Sequence, residues 1–191
     1  TVIAFSNAAI ADPEAYRIDN THSFANWTIR HVASKTSGTF SDVSGKLLID
    51  SKNLANSSIT AKINVLSVNS SHQKRDEHIK KAEYLDAATF SEMTFVSTKV
   101  TVLANNNSEG VLTGNFTMHG VTKEITFPFK ILGFGSDPWG GFRVGVEAHT
   151  LIKASDYGFG WASKVGAPVG DDIEVTLLIE GVKLPAEIVI K

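Results

Sequence analysis

The sequence predicts an all-β protein of antiparallel strands with one short helix. Apolar residues recur at every second position in six segments, the period that sends alternate side chains to opposite faces of a strand. Runs rich in Gly, Pro, Asn and Asp separate those segments, as hairpin turns require. A single stretch, residues 70–82, lacks β-formers and carries helix signals instead. Many one-sided strands must close into a barrel or stack as a sandwich, because either arrangement buries the apolar faces. Periodicity leaves both open.

The first strand sets Ala25, Trp27, Ile29 and His31 against Asn26, Thr28 and Arg30. His31 shares the apolar phase, so its imidazole is expected to point inward, where a lone His is most often a hydrogen-bonded core residue. The same rhythm returns at Ile59/Ala61/Ile63/Val65, Leu112/Gly114/Phe116/Met118, Ile125/Phe127/Phe129/Ile131, Val144/Val146/Ala148 and Ile173/Val175/Leu177/Ile179. Turn chemistry marks residues 50–56, 105–110, 119–120, 136–141 and 166–172. Trp27, Phe95, Phe116, Phe127 and Phe129 all fall on apolar phases and are expected inside. By themselves they fit a filled barrel, since most small barrels are packed with side chains.

In the helical stretch Ser70 precedes Gln73 by three residues, a capping-box spacing that predicts the helix start. Lys80 and Lys81 complement the negative end of the helix dipole, and Tyr84-Leu85 should anchor the exit. Arg75, Ile79 and Ala82 fall at i, i+4 and i+7, so a guanidinium shares the stripe expected to face the core. A buried Arg needs an anion, and Asp76 and Glu77 adjoin it. Two readings follow: a polar helix plugging a barrel end with its Arg held by a carboxylate, or a polar head-group site. His72, Asp76 and His78 invite a metal reading, but on a helix His78 points away from the other two, so no metal site is expected.

The 191 residues and 20.6 kDa fit one domain over residues 12–191. With 18 Lys+Arg against 20 Asp+Glu, a net charge of -2 gives no general attraction for nucleic acid. No cysteine is present, which excludes disulfides, thiolate zinc sites and cysteine nucleophiles. No segment is long and apolar enough to span a bilayer as a helix. Residues 1–11 are mostly apolar or small and close on Ala9-Ile10-Ala11 before Asp12-Pro13-Glu14. They read as a signal-peptide remnant or an N-terminal extension, and predict a periplasmic or secreted protein. No nucleophile-elbow, phosphate-loop or dinucleotide motif occurs, so an enzyme is not expected.

Several blocks occur in a characteristic order. Tyr16-Arg-Ile-Asp19 precedes His22-Ser23, Trp27-x-Ile29-x-His31, and Gly38-Thr-Phe40 with Gly45. Ser67-Val68-x-Ser70 leads into His72-x-x-Arg75-Asp76-x-His78-Ile79 and Tyr84-Leu85-Asp86. Phe95-x-Ser97-Thr98, Met118-His-Gly-Val-Thr-Lys123, Asp137-Pro-Trp-Gly-Gly141, Asp156-Tyr-Gly-Phe159 and Val169-Gly-Asp171 follow. Together they resemble the YceI-like family, lipocalin-like polyisoprenoid-binding proteins of bacteria, over about residues 16–181. The resemblance implies an extended eight-stranded antiparallel lipocalin-like barrel with a short helix near one end, enclosing an elongated apolar tunnel. It also implies binding of a long isoprenoid chain, as a prenyl phosphate or quinone, with no cofactor beyond that lipid and no common catalytic reaction.

On that implication the tail is expected along Trp27, Ile29, Ile63, Phe95, Phe116, Phe127, Phe129 and Val146, each CH₂ removed from water contributing about 0.8 kcal/mol. Arg75 is the first head-group candidate, able to meet a phosphate bidentately, with His72 and His78 as further donors and His31 and Asp76 completing the polar set. A quinone would need only hydrogen bonds. The competing readings are an enzyme acting on a lipid head group through His22, His31, Arg75, Asp76 and His78, and a module for polysaccharide or protein partners. A homodimer through an edge strand is compatible with the sequence and not demanded by it.

Overall fold

The computed structural model describes residues 13–103 and 107–185; the expected signal remnant at residues 1–11 lies outside them. The strands are β1 (Glu14–Ile18), β2 (Phe24–His31), β3 (Ser34–Phe40), β4 (Val43–Ile49), β5 (Ser58–Asn64), β6 (Val68–Asn69), β7 (Glu92–Val102), β8 (Glu109–Met118), β9 (Val121–Ser136), β10 (Phe142–Lys153) and β11 (Val169–Lys183), with helix α1 (Gln73–Ile79) before β7. All eleven belong to one antiparallel sheet that closes when β1 pairs with both β4 and β11.

Three pairs of strands lie end to end, so the eleven make eight staves. β1 and β2 both run along β11, β3 leads directly into β4, and β6 extends β5. The break between β1 and β2 is a turn at residues 19–22, where Thr21 donates both its backbone N–H and its hydroxyl to Asp19. The alternation read from sequence matches the registers. Leu112, Gly114, Phe116 and Met118 face inward opposite Phe127, Ile125, Lys123 and Val121, and all four are buried.

Packing is dense at both ends and open between them. At one end Tyr16, Leu47 and Val144 are fully buried, and the Tyr16 hydroxyl donates to Glu14 Oε2 at 2.7 Å. At the other, His119 stacks on Phe159 with centroids 4.6 Å apart, and Tyr157 meets Phe116 edge-on at 5.5 Å. α1 and residues 80–91 cover this second end.

The helix differs from expectation. It spans only Gln73–Ile79, and its N-cap is His72, whose Nδ1 accepts from the Arg75 N–H. Ser70 does not cap it. Ser71 sits at a φ of +62°, which ends helical geometry there, and the Ser70 hydroxyl donates to Asp76 instead. Ala82 lies beyond the helix and is exposed, because the chain turns back through Leu85 N–H to the Ile79 carbonyl and Ala87 N–H to the Lys80 carbonyl. The last turn is also shorter than residues 166–172: pairing of Val169 with His31 draws the chain into β11 at once.

A charged cluster staples the β1–β2 break to the barrel wall. Arg143 on β10 reaches Asp19 at 2.7 Å and Asp137 at 2.7 Å, and also bonds Glu180. Hydrogen bonds from His22, and then from Arg143 and Thr21, hold the Asp19 carboxyl well below the usual carboxylate range despite its burial. Arg143, and then backbone N–H groups, do the same for Asp137. A carboxylate with a lowered pKa stabilises the fold above the ordinary carboxylate range near pH 4, and loses that contribution as pH falls. Arg143→Leu is therefore expected to melt lower at pH 7 and to show a shallower decline of Tm between pH 5 and 2. Thermal melts by circular dichroism across that window check it; two parallel curves would mean that the cluster does not carry the acid response.

Candidate functional site

A closed barrel whose inward residues are alternately large and small leaves space along its axis. Here that space is a cavity of about 410 Å³ walled almost wholly by hydrocarbon. All eight residues singled out for the tail line it: Trp27, Ile29, Ile63, Phe95, Phe116, Phe127, Phe129 and Val146. The inward residues Ile59, Ala61 and Ile63 of β5, and Ile173, Val175, Leu177 and Ile179 of β11, are only partly buried. They stand at core positions, so their residual exposure is to the cavity. The interior is thus hollow where the sequence, taken without its resemblance, fitted a filled core. Phe95 and Phe127 stack obliquely across neighbouring walls with centroids 5.5 Å apart.

The polar candidates divide into two groups. Arg75, His78 and His31 line the cavity; His72 and Asp76 do not. His31 keeps the inward phase of β2 but lies at the strand's end and is exposed, so it is a rim residue and not a core histidine. His78 brings Nε2 to 2.6 Å from Glu83 Oε1 and stands edge-on to Tyr84 at 4.8 Å. His72 is spent on capping α1.

Arg75 is not held by a carboxylate directly. Its Nε donates to Ser70 Oγ at 2.7 Å and its Nη2 to the Ser70 carbonyl at 2.5 Å. Ser70 in turn gives both its hydroxyl and its N–H to Asp76 Oδ1, at 2.5 and 2.8 Å. Buried Ser70 thus relays the carboxylate's charge, fixing the guanidinium while leaving it without an ion pair among the described residues. Asp76 supports Arg75 from behind.

His22 lies elsewhere, with Nδ1 3.0 Å from Asp19 Oδ2 and 3.8 Å from Glu180 Oε1. The set invoked for head-group catalysis is therefore not assembled at one place. Asp19, His22 and Glu180 do gather ligand atoms within 4.8 Å of one another, but Arg143 bridges the two carboxylates and already supplies the positive charge.

Six further lining residues come from outside the barrel strands: Ile79, Tyr84, Leu85, Phe159, Trp161 and Pro168. Tyr84-Leu85 is the expected anchor of the helix exit, whereas the sequence reading places Phe159 only within the Asp156-Tyr-Gly-Phe159 block and gives Trp161 no role. The run Tyr157-Gly-Phe-Gly-Trp161 carried the signal, since three aromatics spaced by glycine need a partner surface. Tyr157 is almost fully buried, and burial pushes its phenol up to about 12, so it stays neutral. Its hydroxyl and the indole N–H groups of Trp27 and Trp161 are buried without a hydrogen-bond partner among the described residues.

Residues 16–181 match the model of the YceI-like domain. Protein YceI of Salmonella newport (strain SL254) is 39% identical over 171 residues, covering 88% of this chain and 86% of that protein. The fold resembles Burkholderia cenocepacia BcnA with a TM-score of 0.74 at 20% identity, covering 85% of this chain and 98% of that one. It also resembles a polyisoprenoid binding domain from Saccharophagus degradans with a TM-score of 0.67 at 18% identity, covering 90% and 99%.

Proposed function

The chain belongs to the YceI-like family, and from that premise we propose that it binds a long-chain isoprenoid lipid, a polyprenyl phosphate or an isoprenoid quinone, with the tail inside the barrel. The observation that carries the reading is the cavity: about 410 Å³ of partly open space bounded almost wholly by aliphatic and aromatic side chains, with few polar groups, Arg75, His31 and His78 among them. A solid barrel would gain stability by closing that space. An apolar void of this kind is favourable when an apolar guest fills it, because burial of hydrocarbon is non-directional and scales with area. The solved Saccharophagus degradans protein bears the description polyisoprenoid binding domain, which agrees with the cavity's chemistry.

Binding rather than catalysis fits the arrangement at the rim. Arg75 is tied to Ser70 and His72 to the helix cap, so the polar groups hold position more readily than they exchange protons. A carrier of membrane lipids would work as a periplasmic or secreted protein, after removal of residues 1–11.

Mass spectrometry tests both statements on one sample, protein purified from bacteria without detergent. The organic extract is expected to contain one prenyl lipid or quinone per chain, and the intact protein a start near Asp12. A protein that is empty as isolated and also refuses added prenyl lipids would refute the binding role. A mature chain retaining residues 1–11 would refute export by cleavage.

A further inference from the structure

β3 is paired along its length with β2, but on its other side, among the described residues, only Thr39 and Phe40 find a partner, in β6. Residues 34–38 therefore leave a sheet edge open, facing the loop that leads into α1. The gap is a groove of about 720 Å³ on the barrel's flank. Its walls include Arg75 and Lys35 with the hydroxyl or amide groups of Thr28, Ser37, Asn69 and Ser71, and no Asp or Glu lines it. Asn26, Trp27, Thr36 and Arg75 line both this groove and the interior cavity, so the two spaces share a wall.

That wall is unusual at two atoms. The Trp27 ring lies flat against Gly38, its Cζ2 only 2.4 Å from where a Cβ would stand, and its Nε1 is buried with no acceptor. Arg75 spends Nε and Nη2 on Ser70, which leaves Nη1 without a hydrogen bond among the described residues. Both unmet donors therefore belong to residues that border the two spaces.

We infer that the groove is a lateral seat for an oxyanion head group, a phosphate or diphosphate, carried by the lipid whose tail fills the cavity; this rests on the isoprenoid-binding reading above. A charged head cannot stay in the hydrocarbon interior without a large desolvation cost. The β3–α1 gap lets it leave sideways while the tail remains enclosed. Arg75 then meets it with the part of the guanidinium that Ser70 does not use, in the geometry that suits phosphate oxygens. Lys35, paired with Glu174 at 2.6 Å and exposed, is a weaker second cation. A quinone has no charge to place there and would remain inside.

Free phosphate offers the groove the same chemistry, so titration calorimetry on lipid-free protein compares geranylgeranyl diphosphate, geranylgeraniol and inorganic pyrophosphate. The diphosphate is expected to bind at least about tenfold tighter than the alcohol, as charge-assisted hydrogen bonds imply, with pyrophosphate alone far weaker than either. Arg75→Met and Ser37→Glu should each erase the diphosphate's advantage. Ser37→Glu adds a negative charge on an exposed wall and keeps the test decisive if Arg75→Met loosens the Ser70 loop. Equal affinity of wild-type protein for diphosphate and alcohol, or an advantage surviving both substitutions, overturns the lateral seat and leaves tail binding intact. Tight pyrophosphate binding reassigns the groove to free phosphate and overturns its role for lipid. Failure of both prenyl compounds to bind overturns the isoprenoid reading itself.

Discussion

Replacing Ala61 by Trp is expected to empty the barrel of lipid while leaving it folded. Ala61 lies on β5 between Gly45 of β4 and Phe95 of β7; it is only partly buried and lines the cavity. An indole at this position grows into empty space instead of into packed neighbours, so the overpacking cost of a filled core does not arise. It displaces tail. Excluding two isoprene units, about ten carbons, removes about 8 kcal/mol of burial at about 0.8 kcal/mol per carbon. Even a third of that is about a hundredfold in affinity. Lipid per chain in organic extracts should fall from about one to a small fraction, with Tm unchanged or raised because the substitution fills a void. A folded Ala61→Trp protein that still carries full lipid would place the tail elsewhere.

The second large effect is on folding. Gly45→Ala is expected to prevent the native barrel from forming. Gly45 stands inside β4 at a φ of +140°, which L side chains rarely adopt, and a Cβ there would lie 2.1 Å from the Thr60 carbonyl oxygen and 2.8 Å from the Ala61 Cα. Backbone strain of this kind costs about 1–3 kcal/mol by itself. The clash is with β5 backbone, so it cannot be relieved by a side-chain rotation and must break the β4–β5 ladder. Total destabilisation should exceed about 4 kcal/mol, an exceptional value for one methyl group. Gly135→Ala is the matched control, since a Cβ there meets nothing within 4 Å. Soluble yield and chemical denaturation of the pair measure the difference; a Gly45→Ala protein as stable as Gly135→Ala would show that β4 can relax away from β5.

The cavity wall was legible because it depends on period two alone. Once a segment is a strand, Trp27 and Ile29 or Phe127 and Phe129 must share a face, and closure of the sheet makes that face the interior. Ordered blocks such as His72-x-x-Arg75-Asp76-x-His78-Ile79 added the family, and with it the barrel over the sandwich. The polar end was legible only as a list of residue types. Arg75 was the right residue to single out as facing the interior, yet its partner is Ser70 and not a carboxylate. A serine three residues before the helix can serve as relay or as cap, and sequence spacing favours the cap. The choice was made by Ser71, whose positive φ delays the helix and turns the Ser70 hydroxyl toward Asp76.

Sequence by itself determined the strand faces, the eight residues that line the cavity, and the family, because these rest on local periodicity and block order. Period two did not reach the hollow interior, which entered only as an implication of the family resemblance and is shown by the tertiary structure, since a period-two pattern reads the same whether side chains meet across the axis or stop short of it. Tertiary structure alone decided that Arg143 joins Asp19 and Glu180, which have no sequence relation to it until the sheet closes; only Asp137, six residues away, is a local partner. The same closure leaves residues 34–38 on one edge of β3 without a strand partner among the described residues. Contacts across a closing sheet are non-local, and no window of sequence contains both of their ends.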